Sequence, residues 1–187
     1  MVANALAAAG LVRAYGIEPK AVRQGIQDYV PGDHRIQPVA RHNGVLWIND
    51  SKATNPHAAS ASLAAFSNVI WIAGGLSKGV TYDDLVREHA PRRHAPDVPV
   101  IGTAPGETEQ VQTAATRGVE AGSPVAGKPV MSRAVASAAQ LAGSGDTVLM
   151  APAAASMDQF SSYAHRGDTF IEAVRELVEG QAQTGEE

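Results

Sequence analysis

Three short segments combine polar, small and cationic residues in ways that chemistry can use. Asn49-Asp50-Ser51-Lys52-Ala53-Thr54-Asn55-Pro56 directly follows an apolar stretch. There Asp50 can accept from ribose hydroxyls, Lys52 can meet a phosphate or a carboxylate, and Thr54 can donate to an anion near a helix start. Helix capping explains Ser, Thr and Asn in such a place, and on residue types alone it is the preferred reading. A cap, however, uses one such residue, and this segment holds several. Gly74-Gly75-Leu76-Ser77-Lys78-Gly79 is a second candidate. Paired glycines let backbone approach a ligand closely, and Lys78 supplies a point charge for a carboxylate. The segment is neither a dinucleotide fingerprint nor a Walker A loop, so a dehydrogenase reading has no support. In Ala151-Pro152-Ala153-Ala154-Ala155-Ser156-Met157-Asp158-Gln159-Phe160 the small residues permit tight turns. Ser156 and nearby backbone N–H groups can hold an anion, or Ser156 or Asp158 can simply cap the helix expected next. His165-Arg166-Gly167 either lies on the surface or orients this loop. No Ser-His-Asp arrangement can be argued from residue order, and the histidines lack metal-ligand spacing.

The elements around these segments place them together. Residues 2–15 read as a helix stopped by Gly16, and Pro19 opens a second through Tyr29, with Val22 and Ile26 on one face. Two helices of that size cannot bury both faces alone. Residues 1–31 are therefore expected to be the end of a preceding domain, and 32–187 a second domain. Ile36 to Ala40 and Val45 to Ile48 flank Asn43-Gly44, a strong hairpin signal. Helices are expected over 56–66, 82–89, 107–117, 131–142 and 158–179. Strands are expected over 69–73, 98–101 and 147–150, with a surface loop at 90–106 and a frayed polar tail. Strands alternating with helices predict an α/β, three-layer, doubly wound and mostly parallel sheet with an antiparallel edge hairpin. Ligands of such sheets bind outside the carboxyl ends of the strands, which is where the three segments fall.

Composition narrows the function classes. The chain has 187 residues, of which 44% are hydrophobic and 18% charged, enough for one domain of ordinary core size plus a small appendage. With 15 scattered Lys and Arg and a net charge of -4, no basic stripe exists to follow nucleic acid. The absence of cysteine excludes disulfides, thiolate metal sites and thiol catalysis. The apolar opening from Met1 to Gly10 is too short to span a membrane and lacks an export pattern, so a cytoplasmic location is expected.

Together the three segments resemble the Mur ligase family, in its D-glutamate-adding branch. That family carries an Asp-Ser-Lys-Ala-Thr-Asn run, here Asp50 to Asn55, and a Gly-Gly-x-x-Lys turn, here Gly74 to Lys78. Its third run, Ser-Pro-Ala-x-Ala-Ser-x-Asp-Gln-Phe, is here Ala151 to Phe160, and Asp33-His34-Arg35 matches the His-Arg pair that opens the carboxy-terminal domain. The likeness runs from residue 3 to about 178, and the Asp50 to Asn55 run is the most specific part, since sister ligases differ there. The chain departs from the pattern at Ala151, where Ser is usual, and at Leu76, where some relatives carry Asp.

The resemblance implies an ATP- and magnesium-dependent ligase that joins D-glutamate to UDP-N-acetylmuramoyl-L-alanine in peptidoglycan synthesis, through an acyl phosphate. It implies that residues 32–187 are the carboxy-terminal domain, and that 1–31 end a central domain which holds most of the ATP and Mg2+ contacts. By the same likeness Asn4 touches the adenine, Arg35 a phosphate and Asp50 the ribose. Lys52 lies near the phosphates as the catalytic lysine, Thr54, Lys78, Ser156 and Tyr163 line the D-glutamate pocket, and none of these is a metal ligand. The starting Met1 abuts what reads as mid-helix sequence, so a truncated chain, inactive alone, is expected. The alternative is a stand-alone module that binds an acidic amino acid or a nucleotide without catalysis.

Overall fold

The computed structural model describes residues 2–76, 79, 82–89, 100–102 and 128–184. They form two compact units, Met1–Gly32 and Asp33–Glu187. The first contains α1 (Val2–Ala14) and α2 (Pro19–Gln27). Gly16, at φ 93°, ends α1. The Gly16 and Ile17 N–H groups donate back to the Arg13 and Val12 carbonyls, the double bond of a left-handed helix stop. Pro19 opens α2 where a missing N–H costs nothing. No α2 residue is buried, and Leu6, Leu11, Tyr15, Ile26 and Val30 are exposed. Propensity and caps make these helices, and burial within this unit contributes little.

The second unit is the expected α/β sandwich. Its strands are β1 (Gln37–His42), β2 (Val45–Asn49), β3 (Val69–Ala73), β4 (Val100–Gly102) and β5 (Thr147–Met150), and its helices α3 (Pro56–Leu63), α4 (Asp83–His89), α5 (Lys128–Leu141) and α6 (Tyr163–Thr184). The strands run in the order β1-β2-β5-β3-β4, with β1 antiparallel and the others parallel. Asn43 and Gly44 close the β1–β2 hairpin at φ 50° and 78°. Two positive φ angles there match the strand twist. The register slips between Pro38 and Ala40, a bulge on the edge strand where a proline is tolerated.

Alternation along the buried strands feeds two cores, one on each face. Ile48, Val69, Trp71 and Leu149 pack with Leu63, Leu85 and Val86 of α3 and α4. Trp47, Ile70, Ile72, Val148 and Met150 pack with Met131, Val135, Phe170 and Val174 of α5 and α6. Helices on both faces make three layers, and the strands accordingly read as unbroken apolar runs.

Several helix boundaries differ from expectation. The helix expected over 56–66 ends at Leu63 with Ala64 as its cap. The helix expected from Asp158 starts at Tyr163 instead. Ser162 caps it, its hydroxyl accepting from the His165 N–H at 3.0 Å, so neither Ser156 nor Asp158 is that cap. Phe160 explains the delay, because its burial in the second core holds 157–162 in turns. The helix then runs on to Thr184, past the expected end. The helix expected over 107–117 and most of the 90–106 loop lie outside the described residues.

Trp71 locks the first core to the sheet's carboxyl edge. It is 1% exposed, meets Tyr82 edge-on at 6.3 Å, and its indole N–H donates to the Ala151 carbonyl at 2.6 Å. A Trp71→Phe chain is expected to lose about 2 kcal/mol or more in urea unfolding, since it strands a buried carbonyl and opens a small cavity. An unchanged urea midpoint would contradict this role.

Candidate functional site

At the strand ends backbone groups leave the ladder without an automatic partner, and the chain pairs several of them across loops. Asp50 N–H continues the ladder to the Met150 carbonyl at 2.8 Å. Ala153 N–H then donates to the Ala53 carbonyl at 2.9 Å, joining the loops after β5 and β2. Gly74 N–H donates to the Pro152 carbonyl at 3.0 Å, while Leu76 and Ala155 exchange two backbone bonds of 2.9 and 3.2 Å, joining the loops after β3 and β5. The loops carrying Thr54 and Ser156 are therefore neighbours. Gly74-Gly75, which leads toward Lys78, is bonded to the same group. Lys78 itself lies outside the described residues.

Glycine is required in that turn. Gly75 has φ 129°, and a Cβ built on it would run into the Ala155 carbonyl oxygen and stand 3.2 Å from Arg166 Nη1. Ala153 takes φ 59° without being glycine, a strained backbone in the middle of the third segment.

The Asp50 segment resolves the choice between capping and another role. Asn55 alone caps α3, its side chain accepting from the Ala58 N–H at 2.9 Å, with Pro56 next. The polar residues before it are not capping groups. Ser51 is fully buried and donates its hydroxyl to the Tyr163 carbonyl at 2.6 Å. Lys52 is half-buried, with Nζ 3.7 Å from the Tyr163 ring centroid, a cation–π contact between two of the expected site residues. Thr54 is half-buried on the same loop, and Ser156 is buried with its carbonyl accepting from Gln159 and Phe160 N–H groups.

Arg35 and Asp50 are neighbours too, in a strained setting. His34 and Ile36 take φ 61° and 47°, conformations that cost a β-branched residue most. Three side chains hold this turn, and one of them is Gln37, whose Oε1 accepts from the His34 N–H at 3.0 Å. Asp50 Oδ1 accepts from the Ile36 N–H at 3.1 Å, and Asn49 Nδ2 reaches His34 Nδ1 at 2.9 Å and the Gly167 carbonyl at 3.3 Å. Lys52 N–H donates to the His34 carbonyl at 3.1 Å. The turn presents an exposed Arg35. Asp50 also accepts from the Ser62 hydroxyl, so both of its oxygens have internal partners. Asn4 belongs to the first unit, exposed on α1.

Arg166, which the sequence left between surface and loop-orienting roles, is 1% exposed. Its Nε donates to Ser51 Oγ at 3.0 Å, and its Nη2 donates to the Ser51 and Ala154 carbonyls at 3.1 Å each. It orients the loops. Asn49 and His34 formed a buried polar network that residue types alone did not reveal. A polar Asn ending an apolar strand was the available signal.

Known proteins resemble this chain over most of its length. The family described as "Mur ligase, glutamate ligase domain" matches residues 34–154. The chain belongs to the Mur ligase family. Among curated relatives, a UDP-N-acetylmuramoylalanine--D-glutamate ligase of Streptomyces coelicolor is 46% identical over 94% of this chain and 37% of its own length. The Leifsonia xyli ligase of the same name is 46% identical over 99% of this chain and 36% of its length, and that of Frankia casuarinae 50% over 94% and 36%. The chain thus spans well under half of the relatives it matches. Among solved structures, a pseudomurein peptide ligase type C from Methanothermus fervidus superposes with a TM-score of 0.64 at 16% identity, covering 94% of this chain and 35% of that one. A murein peptide ligase from Psychrobacter arcticus gives 0.52 at 15%, covering 92% and 36%. Those two likenesses are of fold. Among the described residues, no helix is long and apolar enough to cross a membrane.

Burial pushes the Asp50 carboxyl above the ordinary aspartate range, while the Ser62 hydroxyl, the Ile36 N–H and Arg35 pull it back in part. The folded chain therefore binds this proton more tightly than the unfolded one. Stability falls as pH rises from the ordinary aspartate value through the raised one, and the cost vanishes at more acid pH. Asp50→Asn is expected to melt at or above the unaltered chain near pH 7, with the difference shrinking toward about pH 3. Thermal melts across that range check it. A variant that is less stable at every pH would contradict this account of Asp50.

Proposed function

We propose that this chain is the amino-acid-delivering part of a ligase that adds D-glutamate to UDP-N-acetylmuramoyl-L-alanine, with residues 32–187 as its carboxy-terminal domain and 1–31 as the last helices of an ATP-binding central domain. The observation that carries the reading is the direct hydrogen bonding among the loops after β2, β3 and β5, which gathers Lys52, Thr54, Ser156 and Tyr163 at one edge of the sheet. The family match and the names of the relatives support the choice of substrate.

In this reading Thr54, Lys78, Ser156 and Tyr163 bind D-glutamate. A hydroxyl on a half-buried loop and buried backbone donors suit a carboxylate, and Lys78 adds a full charge. Arg35 would contact ATP, which suits an exposed guanidinium held on a rigid turn. Asp50 keeps its ribose role only through lone pairs left over from Ile36 and Ser62, and its firmer task is to hold the Arg35 turn. Lys52, steered by the Tyr163 ring, bridges the ATP and amino-acid sides as the catalytic lysine. Asn4 would meet the adenine in the first unit. By the family likeness, Mg2+ would be held mainly by the central domain. ATP supplies the activation of the acceptor carboxylate. This domain's residues bring the attacking amine into line and exclude water, which is positioning catalysis. A cytoplasmic setting fits such nucleotide-linked substrates.

In the full-length ligase, Thr54→Val is expected to raise the D-glutamate KM about tenfold with little change in the ATP KM, the value of one hydrogen bond to a charged group. Lys78→Ala is expected to raise it by about one to two orders of magnitude. Phosphate release that depends on D-glutamate, and not on L-glutamate, is the assay. Unchanged KM values in both variants would remove these residues from the pocket. ATP- and D-glutamate-dependent release by the 187-residue chain alone would overturn the division of labour.

A further inference from the structure

Among the described residues, Arg166 is the only Lys or Arg that is buried. Its three hydrogen bonds all end on neutral oxygens, Ser51 Oγ and the Ser51 and Ala154 carbonyls. No described carboxylate forms an ion pair with it, and Asp158 and Tyr82 act on it only at longer range. Its Nη1 is buried without a hydrogen-bond partner, beside Gly75 in the turn after β3. Loss of water lowers its pKa to about 10, so it stays charged at neutral pH. Proteins normally give a buried cation a carboxylate, because an unpaired charge away from water is costly. A neutral donor such as Gln could satisfy part of the same set of carbonyls at less cost. Here the unbalanced charge sits where the loops after β2, β3 and β5 meet, and a field from a dry site is weakly screened.

We propose that Arg166 is a positioning residue for the acidic amino-acid subsite, its fork fixing the loops that carry Lys52, Thr54 and Ser156, and its unpaired charge setting a preference for an anionic ligand there. Ser51 and Ala154 flank those residues in sequence, so the fork acts on both sides of the pocket at once. The bound carboxylate supplies the balancing charge that no described carboxylate supplies by a direct ion pair. This rests on the D-glutamate reading above.

The test uses the full-length ligase carrying this domain, with Arg166→Gln and Arg166→Lys. Arg166→Gln removes the charge and keeps an amide donor. It is expected to raise the D-glutamate KM at least about tenfold while the ATP KM stays within about twofold. Arg166→Lys keeps the charge and loses the fork, and is expected to fall between Arg166→Gln and the unaltered enzyme. A folded Arg166→Gln enzyme with an unchanged D-glutamate KM overturns the proposal. So does a parallel rise of both KM values with a lowered melting temperature, which marks a general structural peg, and so does Arg166→Lys performing no better than Arg166→Gln. Should Arg166→Gln fail to fold, the ratio of the two KM values in Arg166→Lys decides by the same criterion. Failure of the underlying reading is separately visible, because the unaltered ligase would then show no D-glutamate-dependent phosphate release.

Discussion

A guanidinium taken out of water must find several oxygen acceptors in one plane, and the chain segments that supply them lose their freedom to move independently. Arg166 imposes that condition on the carboxyl edge of this sheet. Its partners come from the loops after β2 and β5, and its third nitrogen lies beneath the turn after β3. The interloop backbone bonds from Ala153 to Ala53, from Gly74 to Pro152 and between Leu76 and Ala155 complete the same structure. Loops are usually the least determined part of a domain. Here they are tied to each other as closely as the strands they extend.

The same edge stores backbone strain. His34, Ile36 and Ala153 adopt positive φ without being glycine. Such conformations persist only where the surroundings leave no alternative. Around His34 and Ile36 the constraint comes from Asn49 and Asp50, the last residue of β2 and the one after it. A buried carboxylate is a costly way to hold one N–H group, and its presence next to an exposed arginine is what a rigidly presented cation requires. Strain and desolvation therefore fall on and beside the residues with a proposed ligand role, while the two apolar cores carry the stability.

The architecture separates those tasks spatially. Strand alternation sends one set of side chains to α3 and α4 and the other to α5 and α6, so the sheet interior has no polar duty. Everything chemical is displaced to the strand ends. A stiff edge suits the proposed task of holding an attacking amine accurately.

Much of this was legible in the residue order. The apolar runs at 69–73 and 147–150, the Asn43-Gly44 turn and the Gly16 stop determine their own elements, because periodicity and φ preference act over a few residues. The Asp50, Gly74 and Ala151 segments, with their family likeness, marked the candidate site along the chain. Contacts between residues far apart in sequence were decided only by the tertiary structure. Neither Asp158 nor Ser156 could be rejected as a helix cap until Phe160 was seen to enter the core and Ser162 to accept from His165. The burial of Arg166 under Ser51, a separation of 115 residues, has no local signature, since an arginine on a helix reads as solvent-facing until packing removes the water. Local propensities act through the bonds between neighbours in the chain, whereas charge and burial depend on what the fold brings within a few ångströms.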